Sequence, residues 1–291
     1  MTILVVGATG MLGRPVAERL ADEGRRVRLL VRDPERARGA LGGRFEYARG
    51  DVGDPASLDR ALDGCRGVHV NLRGRTADEL GRVEVDGTDA VARAAARAGV
   101  ERLTYLSGAG IEHADPRLLP VRTKRAAEAA IRASGVPHTI LRATHFMESL
   151  DLFVRGRSAT ILGRQPQRFH YIAAADYAAQ ASRALDEPGA AGKALTLLGP
   201  AAYTMGEALA IYVRLARPDL RSARASLPLV RLVAAVKRDR ELELVAELFR
   251  AFARIPEGDR GEADRLLGPA TTRLEDWCRA RAGARTGAGA A

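Results

Sequence analysis

The sequence predicts an α/β protein: a doubly wound parallel sheet with a smaller, mainly helical C-terminal lobe. Three observations carry this expectation. Short apolar runs alternate with longer segments of helical periodicity over the first two-thirds of the chain. Several of the short runs are continuously apolar, as strands covered on both faces are. A glycine triplet, Gly7, Gly10 and Gly13, lies between the first strand and the first helix.

The elements follow in order. "TILVVG" is the first strand, and "MLGRPVAERLADEG" a helix opening near Met11 and stopping at Gly24. "RVRLLVR" and "RFEYARGD" are the second and third strands. "SLDRALDG" is a helix leading into the fourth strand, "GVHVNL". "ADELGRVEVDGTDAVARAAARAG" reads as one long helix closing on Gly99, and "ERLTYLSG" as the fifth strand. "RTKRAAEAAIRASG" is a helix and "PHTILRA" the sixth strand. The alternation implies right-handed crossovers between parallel strands. Beyond Thr144 the pattern loosens. "KALTLLG" adds a strand, and "TMGEALAIYVRLA" is helical. The basic amphipathic stretch "LPLVRLVAAVKRDRELELVAELFRAF" is expected to form core-facing helix. Residues 1–144 are expected to form the nucleotide-binding core. Residues 145–283 form a substrate lobe interleaved with the last core strands, and 284–291 a disordered tail.

The 291 residues are 46% hydrophobic, enough to bury a sizeable core. No apolar stretch spans a bilayer and the N-terminus lacks signal-peptide features, so a protein without membrane attachment is expected. Two distant cysteines, Cys65 and Cys278, without metal-ligand spacing imply a reduced, cytoplasmic protein with no metal. The net charge of +10 is carried by dispersed arginine, with no basic–aromatic alternation. That favours anionic small molecules over nucleic acid. The expected assembly is a monomer or homodimer.

The glycine triplet has a chemical reading. Gly7 allows a tight turn, Gly10 lets a pyrophosphate approach the backbone, and Gly13 allows close helix–sheet packing. Thr9, Met11 and Leu12 complete this turn, and the helix behind it points unpaired N–H groups at phosphate. The spacing is G-x-x-G-x-x-G, and its place after a first strand is that of a Rossmann-type dinucleotide site. At the end of strand two, "LLVRDPER" puts Arg32 where an NAD site carries an acid, which favours NADP, with NAD as the alternative. Asp33 is expected to cap the next helix, and Arg14 and Arg36 are candidate second cations. Asp51 and Val52, after strand three, are placed to meet adenine, and Asp54 to cap a helix. Asn71, Leu72 and Arg73, in "NLRGR" (71–75), follow strand four where the cofactor backbone passes.

The segments "GATGMLGR", "LLVRDPER", "GDVGDPASL", "VDGTDAVARAAARAGVERLTYLSGAG" and "KRAAEAAIRASGVPHTILRATHFME" resemble atypical short-chain dehydrogenase/reductases of the NmrA-like and isoflavone-reductase-like group. The resemblance covers residues 1 to about 210, and "LLGPATTRLEDWCRAR" is similar to the end of such proteins. It implies that Ser107 and Gly108 after strand five, Lys124, and Ala143, Thr144 and His145 after strand six lie along the cofactor. Typical members carry a serine and Tyr-x-x-x-Lys; here Ala109 and Pro120 stand at the serine and tyrosine positions, while Lys124 is retained. Ordinary alcohol dehydrogenation by a tyrosine acid is therefore not expected. In isoflavone-reductase-like enzymes a lysine in a similar setting is the acid/base. The likeness gives Lys124 that role, its pKa lowered by burial or by the neighbouring Arg122 and Arg125.

His113 and His145 are further candidate proton donors. His138 is read as structural, and His170 as facing the substrate lobe. Phe146, Met147, Phe153 and Tyr171 are candidate walls of an apolar pocket for a small aromatic or polycyclic molecule. The expected function is NADP(H)-dependent reduction of a small carbonyl, enone or quinone. The alternatives are a non-catalytic NADP(H) sensor acting through a partner and a redox-neutral biosynthetic tailoring enzyme.

Overall fold

The computed structural model describes residues 1–74, 76–252 and 255–288, with side chains described to Phe249 and from Ile255 to Gly283. Among the described residues there are twelve strands: β1 (Thr2–Val6), β2 (Arg26–Val31), β3 (Glu46–Arg49), β4 (Cys65–Val70), β5 (Arg102–Gly108), β6 (His138–Ala143), β7 (Val154–Arg155), β8 (Ser158–Leu162), β9 (Arg168–His170), β10 (Lys193–Leu197), β11 (Ala202–Thr204) and β12 (Arg221–Ala225). Seven form one sheet in the order β10-β6-β5-β4-β1-β2-β3, and every pairing in it is parallel. The strand order switches between β1 and β4, the place beyond whose carboxyl ends open parallel sheets bind their ligands. The expected six strands are all present, and "KALTLLG" supplies β10 at the β6 edge.

Apolar faces explain why the sheet is covered on both sides. Val16, Ala17 and Leu20 of the helix Gly13–Asp22 pack one face together with Tyr177, Ala178 and Ala181 of the helix Ala174–Asp186. Leu58 and Leu62, Val91 and Ala95, and Ala127 and Ile131 come from three other helices and cover the opposite face. A third cluster, with Met147, Phe169, Met205, Leu209 and Tyr212, is the core of the C-terminal part. There β12-β8-β7 and β11-β9 form two small sheets.

Three expectations change. The long helix through Gly99 is broken: a short turn (Ala77–Glu79) passes into a π-helical stretch (Leu80–Asp86) before regular helix resumes at Gly87–Arg97. The wider turn brings Glu84 inward, where its carboxylate accepts from the Gly74 N–H at 3.3 Å. The stretch expected to face the core is two helices, Leu227–Lys237 and Arg240–Phe252, separated at Arg238 in the left-handed conformation (φ 54°). The first buries only Ala234, and its Val236 is 76% exposed, so its apolar stripe is turned outward rather than into the core. The segment expected to be a disordered tail, 284–291, is helical through Ala288, and its last three residues lie outside the described ones.

Candidate functional site

The glycine turn is shaped by backbone proximity. Gly7 has φ +85°, and a side chain there would overlap the Asn71 carbonyl of the neighbouring strand end. A side chain on Gly13 would overlap the Gly7 carbonyl, while one on Gly10 would meet only that same oxygen, at 3.2 Å. Two positions therefore need glycine for packing, and Gly10 leaves the turn open outward. The Gly10 N–H closes the turn on Gly7 O at 3.1 Å. The helix starts at Gly13 rather than Met11. Its N-cap, Leu12, offers no side-chain acceptor, and its first turn holds no acid. The N–H groups at this helix start keep their affinity for an anion. Thr9, Met11 and Leu12 lie in this turn, with Met11 exposed.

Beyond β2 and β3 a hollow of about 470 Å³ is lined by Arg32, Arg49, Gly50, Asp51, Asp54, Ser57 and Arg60. An adjoining hollow of about 510 Å³ shares Arg32 and Arg49. Asp33 is used as expected, accepting from the Arg36 N–H at 3.1 Å as a helix cap. Asp54 caps the next helix through the Ala56 N–H. Asp51 accepts from Gly53 N–H at 2.9 Å, and Val52 packs where Gly87 has no side chain. Arg14, a candidate second cation, is instead paired with Glu18 at 2.7 Å. Arg49 and Arg60 were not singled out from sequence. The signal for Arg49 was its register: it pairs with Val31, the residue before Arg32. The fit of these residues to an NADP-type dinucleotide rests on the glycine cradle, the uncapped helix start and this arginine-lined hollow.

Asn71 donates its N–H to Val6 O at 3.0 Å, which holds the loop after β4 against β1. Leu72 is buried and Arg73 exposed; Arg75 lies outside the described residues. Across the loop, Lys124 sits on the helix Leu119–Ala133, whose first turn contains Pro120. Its Nζ donates to Tyr105 Oη and to Leu106 O, each at 3.3 Å, and lies 3.8 Å from Glu84 Oε2. Burial alone would push the Lys124 ammonium down, but Tyr105 and Glu84 outweigh it and hold the pKa above the ordinary lysine value against the opposing charge of Arg73. The expected lowering is thus reversed. Arg125 does not act on Lys124 as expected, because its guanidinium donates to the Ile111, Glu112 and Ala114 carbonyls.

Ser107 is buried and donates to Glu128 at 2.8 Å, so its hydroxyl serves a structural network rather than an open site. Burial opposes the Glu128 charge, yet hydrogen bonds from Arg142 and Ser107 hold its pKa below the usual value. Gly108 ends β5, in register with Ala143 of β6. The Ala109 N–H donates to Ala143 O at 2.9 Å, and the Thr144 N–H to Leu197 O at 3.1 Å.

The histidines separate. His113 is exposed in the loop after β5. His145 packs on Phe169 with ring centroids 4.3 Å apart, and burial pushes it down to about 4, which leaves it neutral at physiological pH. It can donate a hydrogen bond but is not a charged acid. His138 is structural as expected, its Nδ1 2.9 Å from Val136 O. His170 takes part in an arrangement that sequence reading did not assemble. Its Nδ1 is 2.7 Å from Glu257, whose carboxylate also accepts from the His170 N–H and from the Thr144 hydroxyl. Glu257 lies far along the chain, so no local spacing announced the pair. Phe146, Met147 and Tyr171 are core residues. Among the described residues no group of three or more His, Cys, Asp or Glu could hold a metal, and no helix is long and apolar enough to cross a membrane.

The glycine turn, the switch in strand order and the arginine-lined hollow define a dinucleotide-binding protein of the Rossmann type. A family model described as NAD(P)H-binding matches residues 7–188, and the chain belongs to that family, as an NAD(P)-dependent oxidoreductase. It is 40% identical over 222 residues to a (4-alkanoyl-5-oxo-2,5-dihydrofuran-3-yl)methyl phosphate reductase from Streptomyces griseus, covering 74% of each chain. Its fold is similar to that of the Citrobacter sp. triphenylmethane reductase complexed with NADP(H), at a TM-score of 0.75 and 21% identity, covering 97% of this chain and 100% of the other. It is also similar to the NADPH-dependent quinone oxidoreductase from Escherichia coli complexed with NADPH. There the TM-score is 0.75 and the identity 23%, with 95% of this chain and 98% of the other covered.

Proposed function

We propose that this enzyme uses NADPH to reduce a small conjugated carbonyl compound, an unsaturated lactone, enone or quinone, with Lys124 as the proton donor. The observation that carries the reading is the Lys124 ammonium, tethered by Tyr105, Leu106 and Glu84 at the end of β5. A reduced nicotinamide, when bound, supplies hydride. The chain's part is to hold the dinucleotide at the glycine turn, to select the 2′-phosphate through Arg32 and Arg49, and to meet the negative charge that develops on the acceptor oxygen. An ammonium held charged suits that last task, by donating a proton or stabilising the oxyanion, and does not suit proton abstraction. Its hydrogen-bond partners also set its direction, so little reorganisation is needed as charge develops.

A phosphorylated unsaturated lactone is the first acceptor to try. The relative from Streptomyces griseus is named for such a substrate, and exposed Arg73 beside Lys124 suits an anion. On this reading residues 1–144 hold the cofactor and residues 145–283 cover the substrate, as a monomer or homodimer. The setting is a reducing cytoplasm, where Cys65 and Cys278 stay free. Consumption of NADPH with unsaturated lactones, enones and quinones tests the reading. If tight NADPH binding persists while no acceptor is reduced, the sensor reading replaces it. That second reading is favoured by Pro120 and Ala109 at the tyrosine and serine positions, and requires a partner that distinguishes NADP⁺ from NADPH.

A further inference from the structure

Glu84, the buried carboxylate beside Lys124, makes contacts that reach beyond the lysine. It is 3% exposed on the π-helical stretch, and it touches two separate parts of the site, the loop after β4 and the helix that carries Lys124. Oε1 accepts from the Gly74 N–H at 3.3 Å, at the end of the loop that begins with Asn71. Oε2 accepts from the Thr123 hydroxyl at 3.3 Å and lies 3.8 Å from Lys124 Nζ. Gly74 is where the loop meets the turn: a side chain there would overlap the Leu80 backbone. A regular helix would present position 84 at a different angle, because the i→i+5 turn adds one residue to the ring. Such a stretch recurs at functional sites for this reason.

We infer that Glu84 is the positioning residue of this site: it aims the Lys124 ammonium toward the cofactor and ties it to the loop 71–74 that lines the same cofactor. The inference rests on the proposed role of Lys124. The groups facing Lys124 are Tyr105 and Leu106 O from β5, Glu84 from the π-helical stretch, and Arg73 from the loop after β4. Glu84 is the carboxylate among them. A carboxylate buried with one cation nearby favours the charged form of that cation. Removing the negative charge while keeping the shape makes Lys124 easier to deprotonate, and loosens the link between loop and lysine.

The chain has three lysines, Lys124, Lys193 and Lys237, so each amine is followed separately by mass spectrometry. Competitive acetylation with trace acetic anhydride across a pH series reads the fraction of free amine at each, and requires no substrate. In the wild-type protein Lys124 should titrate above the ordinary lysine range. In Glu84→Gln its curve should move to lower pH, while the Lys193 and Lys237 curves stay in place. The NADPH dissociation constant should rise on the order of tenfold, the loss of one charge-assisted interaction. In a Lys124→Met background, Glu84→Gln should add no further loss, because the two act as a unit. An unmoved Lys124 curve in folded Glu84→Gln overturns the inference, as do losses that add in the double variant. If Glu84→Gln does not fold, the wild-type curve decides, and a Lys124 amine titrating at or below the ordinary range overturns it. The two readings fail separately. When Lys124→Met weakens NADPH and Glu84→Gln does not, only the role of Glu84 falls. When Lys124→Met changes neither binding nor turnover, the proposed role of Lys124 falls and this inference with it.

Discussion

Replacing Arg32 and Arg49 by glutamine tests cofactor selection at the hollow beyond β2 and β3. Both guanidinium groups line it, and the nearby Asp33 and Asp54 are engaged as helix caps. The arginines are thus left to bind an anion. A hydrogen bond to a charged group contributes about 1.5–3 kcal/mol. This hollow is open to solvent, which screens charge, so the lower end applies. Each single variant should weaken NADPH about tenfold, since ~1.4 kcal/mol is a factor of ten. The double variant should lose less than the product of the two, because both arginines meet one phosphate and their effects are coupled. NADH, which lacks that phosphate, should bind within about twofold of wild type in all three variants. Calorimetric titration of NADPH and NADH into wild type and variants supplies the numbers. An unchanged NADPH dissociation constant refutes the placement of the 2′-phosphate. Equal losses for NADPH and NADH would show that the arginines support the fold of the site rather than select the cofactor.

Other outcomes follow from the same geometry. Gly7→Ala meets a positive φ and the Asn71 carbonyl at once; it should lower stability by about 1–2 kcal/mol or more and abolish measurable NADPH binding, read by thermal melts and titration. Lys124→Ala should lower kcat by ~10²–10⁴ while the protein stays folded, and wild-type turnover would remove the lysine from the chemistry. Glu257→Gln should weaken the join of the loop after β6 to β9, raising KM for the acceptor more than it changes NADPH affinity, since the carboxylate touches Thr144 and His170. Acid should destabilise the fold through buried neutral histidines. His69, held between Thr104 and Tyr177, is pushed by burial to about 3, and His145 to about 4. Below their unfolded value near 6.5 the unfolded chain binds more protons, so stability is lost as pH falls from there toward 3. A His69→Gln variant whose melting temperature keeps the wild-type pH dependence in that window would count against this cause.

Local chemistry made much of this fold legible. The seven strands of the main sheet were readable because most are short apolar runs ended by glycine or a polar cap, whereas the five short strands of the two small sheets carry no such signal, and the roles of Asp33 and Asp54 followed from their place before a helix. The glycine turn was readable because backbone crowding there leaves no alternative to glycine at 7 and 13. What stayed hidden depended on distance along the chain. Glu257 meets Thr144 and His170 only once the C-terminal segment folds back over β6 and β9. Arg49 acquires its meaning from register with β2. The inward turn of Glu84 depends on a π-helical stretch that apolar periodicity reads as ordinary helix. The stripe on Leu227–Lys237 has the spacing of a buried face, yet periodicity does not say which face is covered, and its Leu229, Leu232 and Val236 are exposed.

The central claim is that hydride reaches the acceptor from NADPH while Lys124 meets the charge left on oxygen. It is tested most directly with NADPH carrying deuterium at both C4 positions of the nicotinamide, incubated with an unsaturated lactone phosphate or a quinone, and mass analysis of the reduced product and oxidised cofactor. One deuteron should leave the cofactor for each acceptor reduced and appear at carbon in the lactone product, and at saturating NADPH Lys124→Ala should slow that transfer by ~10²-fold or more. Reduction with full retention of deuterium in the cofactor, or transfer at the wild-type rate in Lys124→Ala, would contradict the account.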